Sequence, residues 1–82
     1  MKNVIRSPEE LGQAIRRHRK NLSLSQKELG EEADLRPATI SELENGKTGV
    51  KLSTLFDVLA VLKLELDLSS REDSQSDIED VF

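Results

Sequence analysis

Two short segments, each with a signal for the start of a helix, lie next to one another in this chain of 82 residues. The first begins at Ser25 with the pattern SQKE, in which the serine and the glutamate three positions later can each satisfy a backbone amide group. The second begins at Pro37, which suits the first position of a helix because its missing N–H is not needed there. Only the connection 34–36 separates these helices. The chain must therefore fold around two short helices joined by a tight turn.

Longer helices are predicted on both sides of this pair. The first starts after Ser7, which is followed by proline and glutamate in capping positions. Its apolar side is expected to consist of Leu11, Ile15, His18 and Leu22, with His18 as a packing residue rather than a metal ligand. The last helix is expected from about Leu52 to Leu62. Its predicted buried stripe is formed by Leu52, Leu55, Phe56, Leu59 and Leu62.

Three residues are expected to set the backbone where helices end or approach one another. Asp34 can hold the left-handed conformation in the tight turn, although Gly or Asn would do so at lower cost. Gly46 follows Asn45 and is the usual left-handed residue that ends a helix. Gly30 removes a side chain where another helix could approach closely.

The helical period then changes to strict alternation in 64–68, LELDL, which predicts a β-strand with three leucines on one face. A lone strand leaves its backbone groups unpaired, so it needs a partner. The partner could be the short segment around Val4 and Ile5, or the same strand of a second copy. We favour the second copy, because an antiparallel ribbon across a two-fold axis would bury six leucines. Dimerisation is therefore expected through Leu64, Leu66 and Leu68.

The net charge of −4 hides a division along the chain. Residues 1–51 hold ten Lys/Arg against eight Asp/Glu, whereas residues 52–82 hold two against eight. A polyanionic partner is plausible for the first part only. We expect a single domain over residues 1–68, followed by a disordered acidic tail over residues 69–82. The apolar residues at the end of that tail leave open a linear motif that docks on a partner.

Composition also narrows the function. Cysteine is absent, so neither disulfides nor zinc sites built on sulfur are expected. No Gly-rich phosphate loop, no His/carboxylate cluster and no nucleophile paired with a base is evident, so we expect no enzymatic activity, no metal and no cofactor. No apolar run approaches the roughly 20 residues that span a membrane. A cytoplasmic protein without a membrane partner or a small-molecule substrate is the expectation.

The segment SLSQKELGEEADLRPATISELENGK resembles the phage-repressor-like (Xre) helix-turn-helix family. The resemblance covers residues 7–62 and implies a mainly α, lambda-repressor-like domain of four to five helices. It is carried by Gln26, Leu29, Gly30, Ala33, Leu35, Ile40, Leu43 and the sequence Glu44-Asn45-Gly46. Asp34 departs from the pattern, because the family usually has Gly there, and Arg36 and Pro37 differ from many members.

The ending LKLELDL and the opening IRSPEELGQAIRRHRK further resemble the HipB-type antitoxins, which are dimers whose C-terminal strands pair across the two-fold axis. Such proteins bind operator DNA upstream of their own operon and sequester a HipA-type serine/threonine kinase toxin. The resemblance thus implies an autoregulating transcriptional repressor with operator DNA and a HipA-type kinase as partners. A stand-alone repressor without a toxin, or a pure protein-interaction module, are the alternatives.

In this fold the third helix enters the major groove with its N-terminal residues first. Base contacts are expected from Arg36, Pro37, Ala38, Ser41 and Gln26, and phosphate contacts from Ser25, Lys27, Asn45 and Lys47. The resemblance makes Glu44 the partner of Arg19 in a structural ion pair. Glu42 either accepts a hydrogen bond from a cytosine amine or lies at the solvated edge. Arg17 or Lys20 either meets phosphate or serves the helix dipole alone.

Overall fold

The computed structural model describes residues 4–71, which form four α-helices. These are α1 (Pro8–Asn21), α2 (Gln26–Ala33), α3 (Pro37–Glu44) and α4 (Leu52–Val61). The four predicted helices are thereby confirmed. Most of the predicted tail, residues 72–82, lies outside the described residues.

The helix ends are held by the groups that the sequence indicates. The Ser7 hydroxyl accepts a hydrogen bond from the backbone N–H of Glu10 at 3.1 Å. At the start of α2, the Ser25 hydroxyl accepts from the backbone N–H of Glu28 at 2.9 Å, and the Glu28 carboxylate accepts from the backbone N–H of Ser25 at 2.8 Å. Asp34 adopts the left-handed conformation with φ 61°, and Gly46 has φ 79°. These local features fix where α2 begins and where α2 and α3 end, whereas α3 begins at Pro37 without a side-chain cap hydrogen bond.

The core is aliphatic and draws on all four helices. α3 packs against both α1 and α2, and α4 packs against α2. The buried side chains that form the core are Ile15, Leu29, Ile40, Leu43, Val58 and Leu62. This packing fixes the inner side of α3, so its opposite side is presented to solvent.

Two glycines allow the backbone to approach closely. A Cβ atom on Gly12 would lie 2.5 Å from the carbonyl oxygen of Glu44 and 2.6 Å from that of Leu43, so α1 meets the end of α3 backbone to backbone. The close approach at Gly12 is not among those predicted from the sequence. The prediction that another helix approaches Gly30 is wrong, because the atom nearest to a Cβ there, at 2.6 Å, is the carbonyl oxygen of Leu35 in the turn.

Three apolar residues predicted to be buried are exposed instead. Leu52 and Phe56 are 66% and 49% exposed, and Leu22 is 50% exposed. Seven of the ten residues of α4 are apolar, so its apolar arc is wider than the core of one chain can cover. The core takes the side centred on Val58, which is fully buried, and leaves Leu52 and Phe56 at the edge.

After α4, residues 64–70 form neither helix nor strand within the described chain. Lys63 has φ 60°, and the backbone N–H of Leu64 donates to the carbonyl oxygen of Leu59 at 2.8 Å, which closes the end of α4. Leu64 packs against the core, whereas Leu66 and Leu68 are 48% and 94% exposed. Among residues 4–71, the alternative pairing of this segment with Val4 and Ile5 is not formed.

Candidate nucleic-acid interface

The outer side of α3 is a continuous exposed surface, which we call the α3 outer face: Pro37, Ala38, Ser41, Glu42 and Asn45. Ser41 is half-buried and the other four residues are exposed. The residues at the complementary helical positions are buried, namely Ile40, Leu43 and Glu44. Arg36 precedes the helix as its N-cap residue and is exposed. The structure thus brings the predicted base-contact residues of this segment to one side of the molecule.

Asn45 is held against its own helix. Its Nδ2 atom donates to the carbonyl oxygen of Ser41 at 2.9 Å and lies 3.3 Å from the Ser41 Oγ atom. The contact restrains both side chains at the C-terminal end of the α3 outer face. A restrained side chain loses less conformational entropy when it meets a ligand, which suits the predicted contact roles of these two residues.

Behind this face lies a buried ion pair between Arg19 of α1 and Glu44 of α3. The Arg19 Nε atom donates to Glu44 Oε2 at 2.6 Å, and Nη2 donates to Oε1 at 3.0 Å. Nη1 donates to the carbonyl oxygen of Leu24 at 2.8 Å. These hydrogen bonds to Glu44 raise the pKa of Arg19 above its ordinary value, against the opposing effect of burial. Glu44 therefore faces inward and is not aimed at a ligand.

Gln26, the first residue of α2, joins the same network. Its Nε2 atom donates to Glu44 Oε1 at 3.1 Å, and the side chain is half-buried. The predicted role of Gln26 is a base contact, and its hydrogen bond to Glu44 is not predicted by the sequence. The network ties α1, α2 and α3 together, so the orientation of the Gln26 amide depends on the ion pair.

The predicted phosphate-contact residues flank the α3 outer face at two places. At the start of α2, the hydroxyl of Ser25 is occupied by the Glu28 backbone N–H, while Lys27 is exposed. After α3, Lys47 is exposed and its backbone N–H donates to the carbonyl oxygen of Glu42 at 3.0 Å. An exposed lysine at each place, together with the N-terminal amides of α2, suits an extended anion such as a nucleic-acid backbone.

Two other kinds of site are not found within residues 4–71. No group of three or more His, Cys, Asp or Glu side chains is placed to hold a metal ion there. No helix in that part of the chain has both the length and the apolar character that a membrane span requires.

Comparison with known proteins agrees with this geometry. A family model described as helix-turn-helix matches residues 15–69. Antitoxin HipB of Escherichia coli O6:H1 is 34% identical over 64 residues, which are 78% of this chain and 68% of that protein. The HipB antitoxin of Escherichia coli K12 is also 34% identical, over 73% of its length.

Solved structures give the same result. A HipB–O4 20mer complex matches with a TM-score of 0.78 and 32% identity, covering 84% of this chain and 97% of the matched chain. A HipA–HipB–O2–O3 complex matches with the same TM-score, identity and coverage. From the family model, the identities and the coverage together, this chain belongs to the phage-repressor-like helix-turn-helix family and, within it, to the HipB-type antitoxins.

Proposed function

We propose that this protein is a sequence-specific DNA-binding repressor that acts as the antitoxin of a HipA-type serine/threonine kinase toxin and regulates its own operon. The observation that carries the proposal is the α3 outer face: small or polar side chains on a helix whose other side is anchored in the core. A helix of this kind can approach base edges in the major groove.

The charge distribution supports DNA as the ligand. Lys27 and Lys47 flank the α3 outer face, and Arg36 lies at its N-terminal end. Arginine can donate two hydrogen bonds to guanine O6 and N7, whereas lysines act mainly on phosphate. Arg36 is therefore assigned to base reading, and Lys47 to affinity that does not depend on sequence.

A two-fold symmetric dimer is part of the proposal. Leu66 and Leu68 are exposed in the single chain, and residues 64–70 have no partner strand in the described part. Pairing of this segment with its copy would satisfy the backbone groups and cover the leucines. Such a dimer would read two half-sites roughly 34 Å apart.

The kinase partner rests on the relatives. One matched structure is a HipA–HipB–O2–O3 complex, in which 97% of the matched chain is covered by this chain. A protein with the same fold over that length is expected to offer HipA-type partners the same surfaces.

Affinity purification from the native host tests both parts of the proposal. The protein carries an N-terminal tag, and co-purifying proteins and DNA are identified. A kinase-like protein together with the DNA upstream of the gene is the expected result. DNA without a protein partner would leave a stand-alone repressor.

The dependence of DNA affinity on salt concentration distinguishes a DNA-binding repressor from a pure protein-interaction module. A dimer with several phosphate contacts in each half should lose about 10³-fold in affinity between 50 and 200 mM salt. Absence of DNA binding at both salt concentrations would contradict the repressor proposal.

A further inference from the structure

Glu42 places a carboxylate on the side of α3 that the proposed function turns toward DNA. It lies one turn after Ala38 and three residues before Asn45, on the α3 outer face, and its side chain is exposed. The helix therefore carries a negative charge on the same surface that is expected to face the major groove.

No cation within the described residues neutralises this charge. Within residues 4–71, the Glu42 side chain takes part in no hydrogen bond or ion pair. Lys47 is the nearest basic residue along the chain, and its backbone N–H reaches the carbonyl oxygen of Glu42, yet its ammonium group forms no ion pair with the carboxylate. An unpaired carboxylate that approaches a polyanion is repelled unless a donor on the DNA meets it.

The major groove offers such donors on cytosine and adenine. Cytosine presents its N4 amine, whereas adenine presents its N6 amine beside the N7 acceptor. An ionised carboxylate only accepts hydrogen bonds, so the adjacent N7 makes adenine the poorer partner. The pairing that fits this chemistry is a hydrogen bond that the glutamate carboxylate accepts from the N4 amine of cytosine.

On these grounds, and resting on the proposed DNA-binding function, we propose that Glu42 is a specificity-determining residue that requires a C·G base pair at one position of each half-site. Ala38 supports this role, since a methyl group one turn earlier lets the helix come close enough for the carboxylate to reach a base edge. Glu42 acts mainly by discrimination, because guanine and thymine offer the carboxylate no donor at that position and adenine presents its donor beside an acceptor.

The test is selection of binding sites from a pool of synthetic duplexes with randomised base pairs, performed with the natural protein, Glu42→Ala and Glu42→Gln. The natural protein should prefer cytosine by about 10-fold at one position per half-site, the scale of a single mismatched base pair. Glu42→Ala should lose that preference and keep the others. Glu42→Gln should favour adenine there, because glutamine pairs with adenine N6 and N7.

Asp57→Asn is the matched control, since it removes one exposed negative charge from α4, which packs against α2. It should leave the selected sequence unchanged. If Glu42→Ala binds all sequences more tightly but selects the same bases as the natural protein, Glu42 is only a solvated charge and the inference is wrong. A natural protein that selects no sequence at all would overturn the repressor proposal as well, which distinguishes the two failures.

Discussion

At the scale of single residues, the ion pair of Arg19 and Glu44 joins stability to the DNA-binding surface. Both residues are 7% exposed, and Arg19 also holds the carbonyl oxygen of Leu24. Arg19→Ala leaves a buried carboxylate without its cation, which should lower the free energy of unfolding by about 3–5 kcal/mol in urea denaturation. The raised pKa of Arg19 means that its side of the pair stays charged until the pH rises through that value.

Arg17→Ala is the control for this prediction, because Arg17 is exposed on the same helix. It should change the free energy of unfolding by no more than about 0.5 kcal/mol. Equal effects of the two substitutions would show that the buried pair contributes no more than a surface charge does.

Arg36 and Lys47 should behave differently on DNA, although both are exposed cations beside α3. Arg36→Ala should weaken specific binding by about 1–3 kcal/mol and relax the preference at one base pair. Lys47→Ala should weaken binding to all sequences alike and reduce the slope of affinity against salt by about one phosphate contact. Titration of a selected duplex and a scrambled duplex at several salt concentrations measures both effects. An unchanged base preference in Arg36→Ala would contradict the assigned role.

At the scale of helices, the crossing of α1 and α3 depends on Gly12. A Cβ atom there would lie within 2.5–2.6 Å of two carbonyl oxygens at the end of α3, so Gly12→Ala must push the helices apart. We expect a loss of about 1–3 kcal/mol in thermal or urea unfolding, despite the better helix propensity of alanine. Gly49→Ala is the matched control, because nothing lies within 4 Å of a Cβ at that position. A neutral Gly12→Ala would show that the crossing is loosely packed.

The positions where helices begin could be predicted from the sequence, whereas the close contact between α1 and α3 could not. The starts of α1 and α2 are set by side-chain caps, and the start of α3 is set by a proline at its first position. Such signals are local in sequence, so Ser7, Ser25 and Pro37 were sufficient to place the three helices. The close approach at Gly12 depends on two segments far apart in the chain. Its only local signal was a glycine inside a strongly helical segment, where the cost relative to alanine implies a packing reason.

In the candidate nucleic-acid interface, too, some features could be predicted from the sequence and others could not. The likeness of one segment to a known family was enough to name the residues of the α3 outer face. The hydrogen bond from Gln26 to Glu44 joins the start of α2 to the end of α3, and no spacing in the sequence indicates it. The exposure of Phe56 was missed because a helix with seven apolar residues in ten has several faces that satisfy the same period.

At the scale of the whole molecule, the apolar residues left outside the core point to a second chain. Four exposed apolar residues lie on α4 or in residues 64–70 after it, namely Leu52, Phe56, Leu66 and Leu68. A domain this small gains only marginal stability from its own core, so covering further apolar surface by association would stabilise it. The dimer expected from the alternating leucines would thereby bury apolar surface that the single chain leaves exposed.

Leu66→Asp tests this assembly, because it would place an unpaired charge between paired segments of a dimer. We expect monomers in sedimentation at concentrations where the natural protein is a dimer, together with weaker DNA binding, because one half-site alone would be held. Leu22→Asp is the control, because Leu22 and Leu66 are similarly exposed, at 50% and 48%. Leu22 lies between α1 and α2, far in sequence from residues 64–70. That variant should stay dimeric. A dimer that survives Leu66→Asp would rule out pairing through the leucine strand and direct attention to Leu52 and Phe56 of α4 instead.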